Sequence, residues 1–136
     1  MLLVRISYYA LALGWAVVIL IGTLLPAPVL PPAPKWDILT FDSLVHAILF
    51  GVQLLLLLYA FHRDPAVPQV TKRHITGSFL FVVFFGILVE VLQGSMSMGR
   101  EADPVDALSN TIGGVIGLGL WFLLPRRSAA GFKKSS

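Results

Sequence analysis

A chain of 136 residues that is 57% hydrophobic and only 12% charged is too apolar for a soluble domain, and its apolar residues fall in long uninterrupted blocks. The absence of cysteine excludes disulfides, thiol catalysis and cysteine metal sites, and a net charge of +3 crowded into particular loops is an orientation signal, not a nucleic-acid patch. This is the composition of a membrane protein.

The first predicted helix covers residues 6–25, ISYYALALGWAVVILIGTLL, long enough at 1.5 Å per residue for a hydrocarbon core of about 30 Å. Tyr8 and Tyr9 suit its interface. A cleaved signal peptide is the competing reading. The apolar run is long for such a core, and Leu25, Ala27 and Pro28 make a poor cleavage site, so the helix is read as retained. Pro26, Pro28, Pro31, Pro32 and Pro34 then impose an extended loop that closes at Trp36, an interfacial anchor.

A second helix is expected over 42–61 and a polar loop over 62–73; a third helix covers 74–93, apolar and aromatic until Glu90. Asp103-Pro104 places a good N-cap before a good first helical residue, so a fourth helix runs over 104–124 and stops at Pro125. Residues 1–125 therefore read as a single membrane domain and 126–136 as a basic tail. The fold class is all-α, a polytopic four-helix transmembrane bundle.

Four spans put both termini on one side. Arg5, Arg63, Lys72, Arg73, Arg126, Arg127, Lys133 and Lys134 fall on that side, and only Lys35 and Arg100 on the other. This positive-inside bias predicts cytoplasmic termini in the plasma or inner membrane. Six of the seven acidic residues then lie towards the outside, Asp64 being the exception.

At 100° per residue, Asp42, His46 and Gln53 share one stripe of the second helix, within about 40°. Gly86, Glu90 and Gln93 form a stripe on the third helix, and Asp106, Asn110, Gly113 and Gly117 one on the fourth, each about 60° wide. The ionisable groups sit near the outer end of each helix, so the stripes are expected to converge there, with Arg100 nearby. Structural readings stand beside the functional one. Asp42 and Asp106 suit the positive end of a helix dipole, Asn110 is able to glue helices, and Gly113-x-x-x-Gly117 is a packing motif. Glu90 is the hardest to dismiss, because an ionised side chain inside a span costs roughly 2.5–3.5 kcal/mol and must be paired, protonated or wetted. Arg100 is its nearest candidate partner in the sequence.

No metal site is read: catalytic zinc usually takes three ligands, often histidines, and His62 and His74 belong to the opposite side from His46. Asp42, His46, Glu90 and Asp106 have no diagnostic spacing, and no nucleophile motif, phosphate loop or cofactor fingerprint appears. A short internal echo links Asp42-Ser-Leu-Val-His46 with Asp106-Ala-Leu-Ser-Asn110, which fits two similar hairpins with a site at their interface.

Asp42 and His46 opening the second helix, Glu90 and Gln93 ending the third, then Arg100, then Asp106, Asn110 and Gly113 opening the fourth, together resemble the VanZ-like family. These are small bacterial membrane proteins named for a member linked to resistance to teicoplanin. The resemblance spans about residues 10–124 and departs at Ser43, where the family commonly has lysine. It implies a four-helix membrane fold and an effect on glycopeptide susceptibility at the cell envelope, while the stripes and the charge bias add an outward-facing polar pocket. Its partners would be the lipid bilayer and an envelope or glycopeptide-related ligand. Two alternatives stand beside it: an envelope enzyme using Glu90 or Asp106 as acid or base on a lipid-linked or cell-wall substrate, and a non-catalytic binder or assembly partner.

Overall fold

The computed structural model describes residues 2–26, 41–96 and 102–124, with side chains from residue 6 onward. It consists of four helices: α1 (Leu2–Leu24), α2 (Phe41–Arg63), α3 (Lys72–Ser95) and α4 (Pro104–Leu123). Each is long and apolar enough to cross a membrane, and there is no strand among the described residues. The proline-rich segment with Trp36, Arg100 and the basic tail lie outside the described residues.

The helices overrun the boundaries expected from hydropathy, by four residues at the start of α1 and by two at the end of α2 and the start of α3. Hydropathy stops at the first charge, whereas helical hydrogen bonding does not. His62 and Arg63 fit the last turn of α2, where cations meet the negative end of the dipole. At α3 the backbone amide of Thr71 donates to His74 Nδ1 at 3.1 Å, so His74 fills the place that Glu or Gln takes in a capping box. The start of α4 is as the sequence predicts: Asp103 accepts from the amide of Val105 at 2.8 Å, and Pro104 occupies the first turn.

Side-chain contacts fix the topology. Tyr9 meets Asp64, Trp15 donates to the Leu49 carbonyl and Gln53 donates to the Ala12 carbonyl, so α1 and α2 are antiparallel. Gln93 donates to the Thr23 carbonyl at 2.7 Å, so α1 and α3 end together. Ser43 meets Asp106 and His46 meets Asn110, so α2 and α4 run parallel from a common end. The bundle is thus up-down-up-down. α2 packs against all three other helices, and α1 against α2 and α3.

The α2–α4 seam is backbone against backbone. A Cβ on Gly113 would run into the carbonyl of Ala47, one on Gly51 would stand 2.9 Å from the Gly113 oxygen, and one on Gly117 would stand 2.6 Å from the Gly51 oxygen. Ala47-x-x-x-Gly51 on α2 therefore faces Gly113-x-x-x-Gly117 on α4, a small-residue pairing that lets helices approach closely in lipid. Phe50, Leu54, Leu58, Val82, Val89, Ile19 and Trp121 form the apolar core. Leu13, Phe84, Val115, Ile116 and Phe122 point outward, as expected of surfaces bathed in hydrocarbon.

Candidate functional site

The close approach of α2 and α4 sets Asp42, Ser43 and His46 in register with Asp106 and Asn110 at the end where both helices begin. α3 finishes at that end and adds Glu90. Gly86, one turn before Glu90, makes room for the Asn110 side chain: a Cβ there would stand 2.9 Å from Asn110 Cβ. The residues of the internal echo thus face one another across the seam.

His46 is the centre of the group and only 1% exposed. Its Nδ1 lies 3.0 Å from Asn110 Oδ1 and 3.4 Å from Glu90 Oε1, and its Nε2 lies 4.0 Å from Asp42 Oδ1. The Phe50 ring lies one turn below and nearly parallel to the imidazole, at 6.4 Å between centroids. Nδ1 thus faces Asn110 and Glu90, and Nε2 faces Asp42.

The carboxylates are held from the side. Ser43 donates its hydroxyl to Asp106 Oδ1 at 2.6 Å, and the backbone amide of Asp103 donates to Glu90 Oε2 at 3.2 Å. The N-cap of α4 is therefore tied to α3, and Glu90 Oε1, buried without a hydrogen bond, faces His46. Asp42 is the open side of the cluster, with 43% of its side chain exposed.

Of the residues singled out in the sequence, Asp42, His46, Glu90, Asp106 and Asn110 come together. Gln93 is buried but turned to α1, where it donates to the Thr23 carbonyl, and Gln53 makes the matching bond to Ala12; both are ties between helices. Gly86, Gly113 and Gly117 all serve close packing. Arg100 lies outside the described residues. Sequence reading found the Asp103 cap but missed the bond from its backbone amide to Glu90, and it missed the roles of Ser43 and Ala47. Ser43 lies three residues before His46 on the buried face of α2, a spacing that would have flagged it. At this position, where the resemblance calls for lysine, the chain supplies a neutral donor to Asp106.

Chemically, the group offers a carboxylate–histidine pair and several hydrogen-bond acceptors in a buried setting. One ligand atom each from Asp42, His46 and Asp106 lie within 4.8 Å of one another, a set able to hold a metal ion. A groove of about 640 Å³ lies at the other end of the bundle, between α2 and α3, lined by Phe61, Arg73, His74, Ser78 and Phe81 among others, and shares no residue with the cluster.

These features define a multi-pass membrane protein whose buried polar cluster is assembled by three of its four helices. The chain belongs to the VanZ/LLP1 family, whose family model matches residues 8–125. No curated protein and no solved structure matches it significantly.

Proposed function

We propose that this VanZ/LLP1 protein acts at the cell membrane through the cluster of Asp42, His46, Glu90, Asp106 and Asn110, which receives an envelope-derived ligand from the extracytoplasmic side and alters susceptibility to glycopeptides, teicoplanin more than vancomycin. One observation carries the reading: Glu90, a carboxylate inside a span, stands 3.4 Å from a buried histidine whose other nitrogen faces a partly exposed aspartate. A scaffold needs no such arrangement, because amides and small residues hold helices together at lower desolvation cost. The excess of lysine and arginine at the opposite end supports an outward-facing cluster. Family membership supports the link to glycopeptides.

A second reading is favoured by the same contact. A histidine oriented by a carboxylate and an amide is the arrangement of a general base, so the protein would be an envelope enzyme acting on a lipid-linked or cell-wall substrate. Both readings are tested by expressing the wild type, Glu90→Gln and Asp106→Asn in a susceptible Gram-positive host. The wild type is expected to raise the teicoplanin inhibitory concentration. The two variants, which keep size and remove charge, are expected to abolish the effect at equal membrane level. Unchanged tolerance with the wild type present in the membrane rejects the role. Product formation from a lipid-linked cell-wall precursor by purified protein selects the enzymatic reading.

A further inference from the structure

The groove between α2 and α3, at the end of the bundle away from the cluster, has a chemistry of its own. Its volume of about 640 Å³ falls in the range of roughly 300–1,000 Å³ usual for small-molecule sites. Its walls change character along α3. At the start of that helix stand Thr71, the exposed Arg73 and His74, with Phe61 of α2 packed against the His74 ring at 4.8 Å between centroids. Deeper in lie Leu57, Gly77, Ser78 and Phe81. From Thr71 to Phe81 the groove follows α3 for about 15 Å at 1.5 Å per residue, half of a hydrocarbon core of about 30 Å. A furrow that is basic at the membrane boundary and apolar for half the bilayer has the dimensions of a lipid in one leaflet.

Three features set the sign of the headgroup. Arg63, Lys72 and Arg73 gather at this end, whereas Asp64, the acidic residue there among the described ones, is 2% exposed and accepts from the Tyr9 hydroxyl and the Ala66 amide. The first turn of α3 holds no acidic residue, so the positive end of its dipole meets no carboxylate of that turn. The Thr71 amide, which can only donate, bonds to His74 Nδ1 at 3.1 Å, so the hydrogen of the ring is on Nε2, a donor suited to a phosphate oxygen. Lower down, Ser78 lines the groove, is 4% exposed, and its hydroxyl has no hydrogen-bond partner. A buried hydroxyl costs stability unless something accepts from it, and the ester oxygens beneath a lipid phosphate are acceptors. A Cβ on Gly77 would meet nothing within 4 Å, so this glycine leaves space in the groove and does not serve a helix contact.

We infer that the groove binds one anionic phospholipid of the phosphatidylglycerol type, with its phosphate at Arg73 and His74, its ester region at Ser78 and an acyl chain along Leu57, Gly77 and Phe81. Basic pockets between membrane helices characteristically hold such headgroups, and a free phosphate would leave the apolar length of the groove unfilled. The site stands apart from the cluster and holds whichever way the protein lies in the bilayer.

The test uses the full chain in non-ionic detergent, with lipid binding followed by native mass spectrometry. One phosphatidylglycerol per chain should bind about tenfold more tightly than phosphatidylcholine with the same acyl chains. Arg73→Gln should weaken it about fivefold, while Lys72→Gln, which removes the same charge from a residue that does not line the groove, should change it by less than about twofold. Gly77→Leu fills the groove without meeting protein and should weaken binding more than about tenfold at an unchanged melting temperature, since each excluded methylene is worth roughly fourfold. Ser78→Ala should weaken it about fivefold. Equal affinity for the two lipids, or unchanged affinity in Gly77→Leu or Ser78→Ala, overturns the site. Equal losses in Lys72→Gln and Arg73→Gln would reduce it to general attraction to a basic surface, and displacement of the lipid by millimolar inorganic phosphate would reduce it to an anion site; either result rejects the inference.

Discussion

Each end of the bundle buries an aspartate, and they differ in how the charge is met. Asp64, 2% exposed at the end of α2, accepts from the Tyr9 hydroxyl and from the Ala66 amide, each at 2.9 Å, so each oxygen has its own donor. At the opposite end, Asp42, Glu90 and Asp106 gather around a single imidazole, and His46 Nε2 and Glu90 Oε1 are buried without a hydrogen bond. A buried carboxylate with matched donors closes a turn and ties two helices, which is ordinary structural work. Buried polar atoms left without a bond, such as His46 Nε2 and Glu90 Oε1, are not explained by tying helices together. The comparison therefore locates the candidate site by its unbonded buried atoms rather than by burial alone.

The largest expected effect separates the two ends by side of the membrane. Because the chain has no cysteine, single cysteines report alone. Ser97→Cys, between α3 and α4, should be labelled completely by an impermeant thiol reagent added to intact cells, while Thr71→Cys, between α2 and α3, should stay unlabelled. The opposite pattern would turn the cluster to the cytoplasm and reverse the proposed orientation.

Next in size is the seam that assembles the cluster. Gly113→Leu drives a side chain into the Ala47 carbonyl of α2, a backbone atom unable to move aside cheaply. It should cost more than about 3 kcal/mol in detergent-based unfolding and remove function together with stability. A Gly113→Leu protein as stable as the wild type would mean that the α2–α4 contact does not hold the bundle.

Asp64→Ala sharpens the contrast. Deleting one member of a buried hydrogen-bonded set with a charged acceptor should cost roughly 1.5–3 kcal/mol, yet leave teicoplanin tolerance intact once membrane level is matched. Glu90→Gln and Asp106→Asn should do the converse. If Asp64→Ala also abolishes tolerance at matched level, the distinction between the two ends fails. The smallest effect is expected of Tyr9→Phe, which keeps the edge-to-face packing on Phe61 and loses only the hydroxyl, for about 1 kcal/mol in the same unfolding measurement.

The sequence by itself determined the number of helices, their membrane-spanning character and the N-cap at Asp103, because hydrophobic blocks and cap residues act locally and need no neighbour. It also marked which faces matter, since Asp42 with His46, Glu90 with Gly86, and Asp106 with Asn110 each share one side of a helix at spacings of four residues. Pairing across helices was out of its reach. That Gln93 serves α1 and not the cluster, that Ser43 is the hydrogen-bond donor to Asp106, and that the Asp103 amide holds Glu90 all depend on the rotation and depth of neighbouring helices. Those are set by contact between Ala47, Gly51, Gly113 and Gly117, where the absence of side chains brings two backbones together and so decides which polar groups can meet.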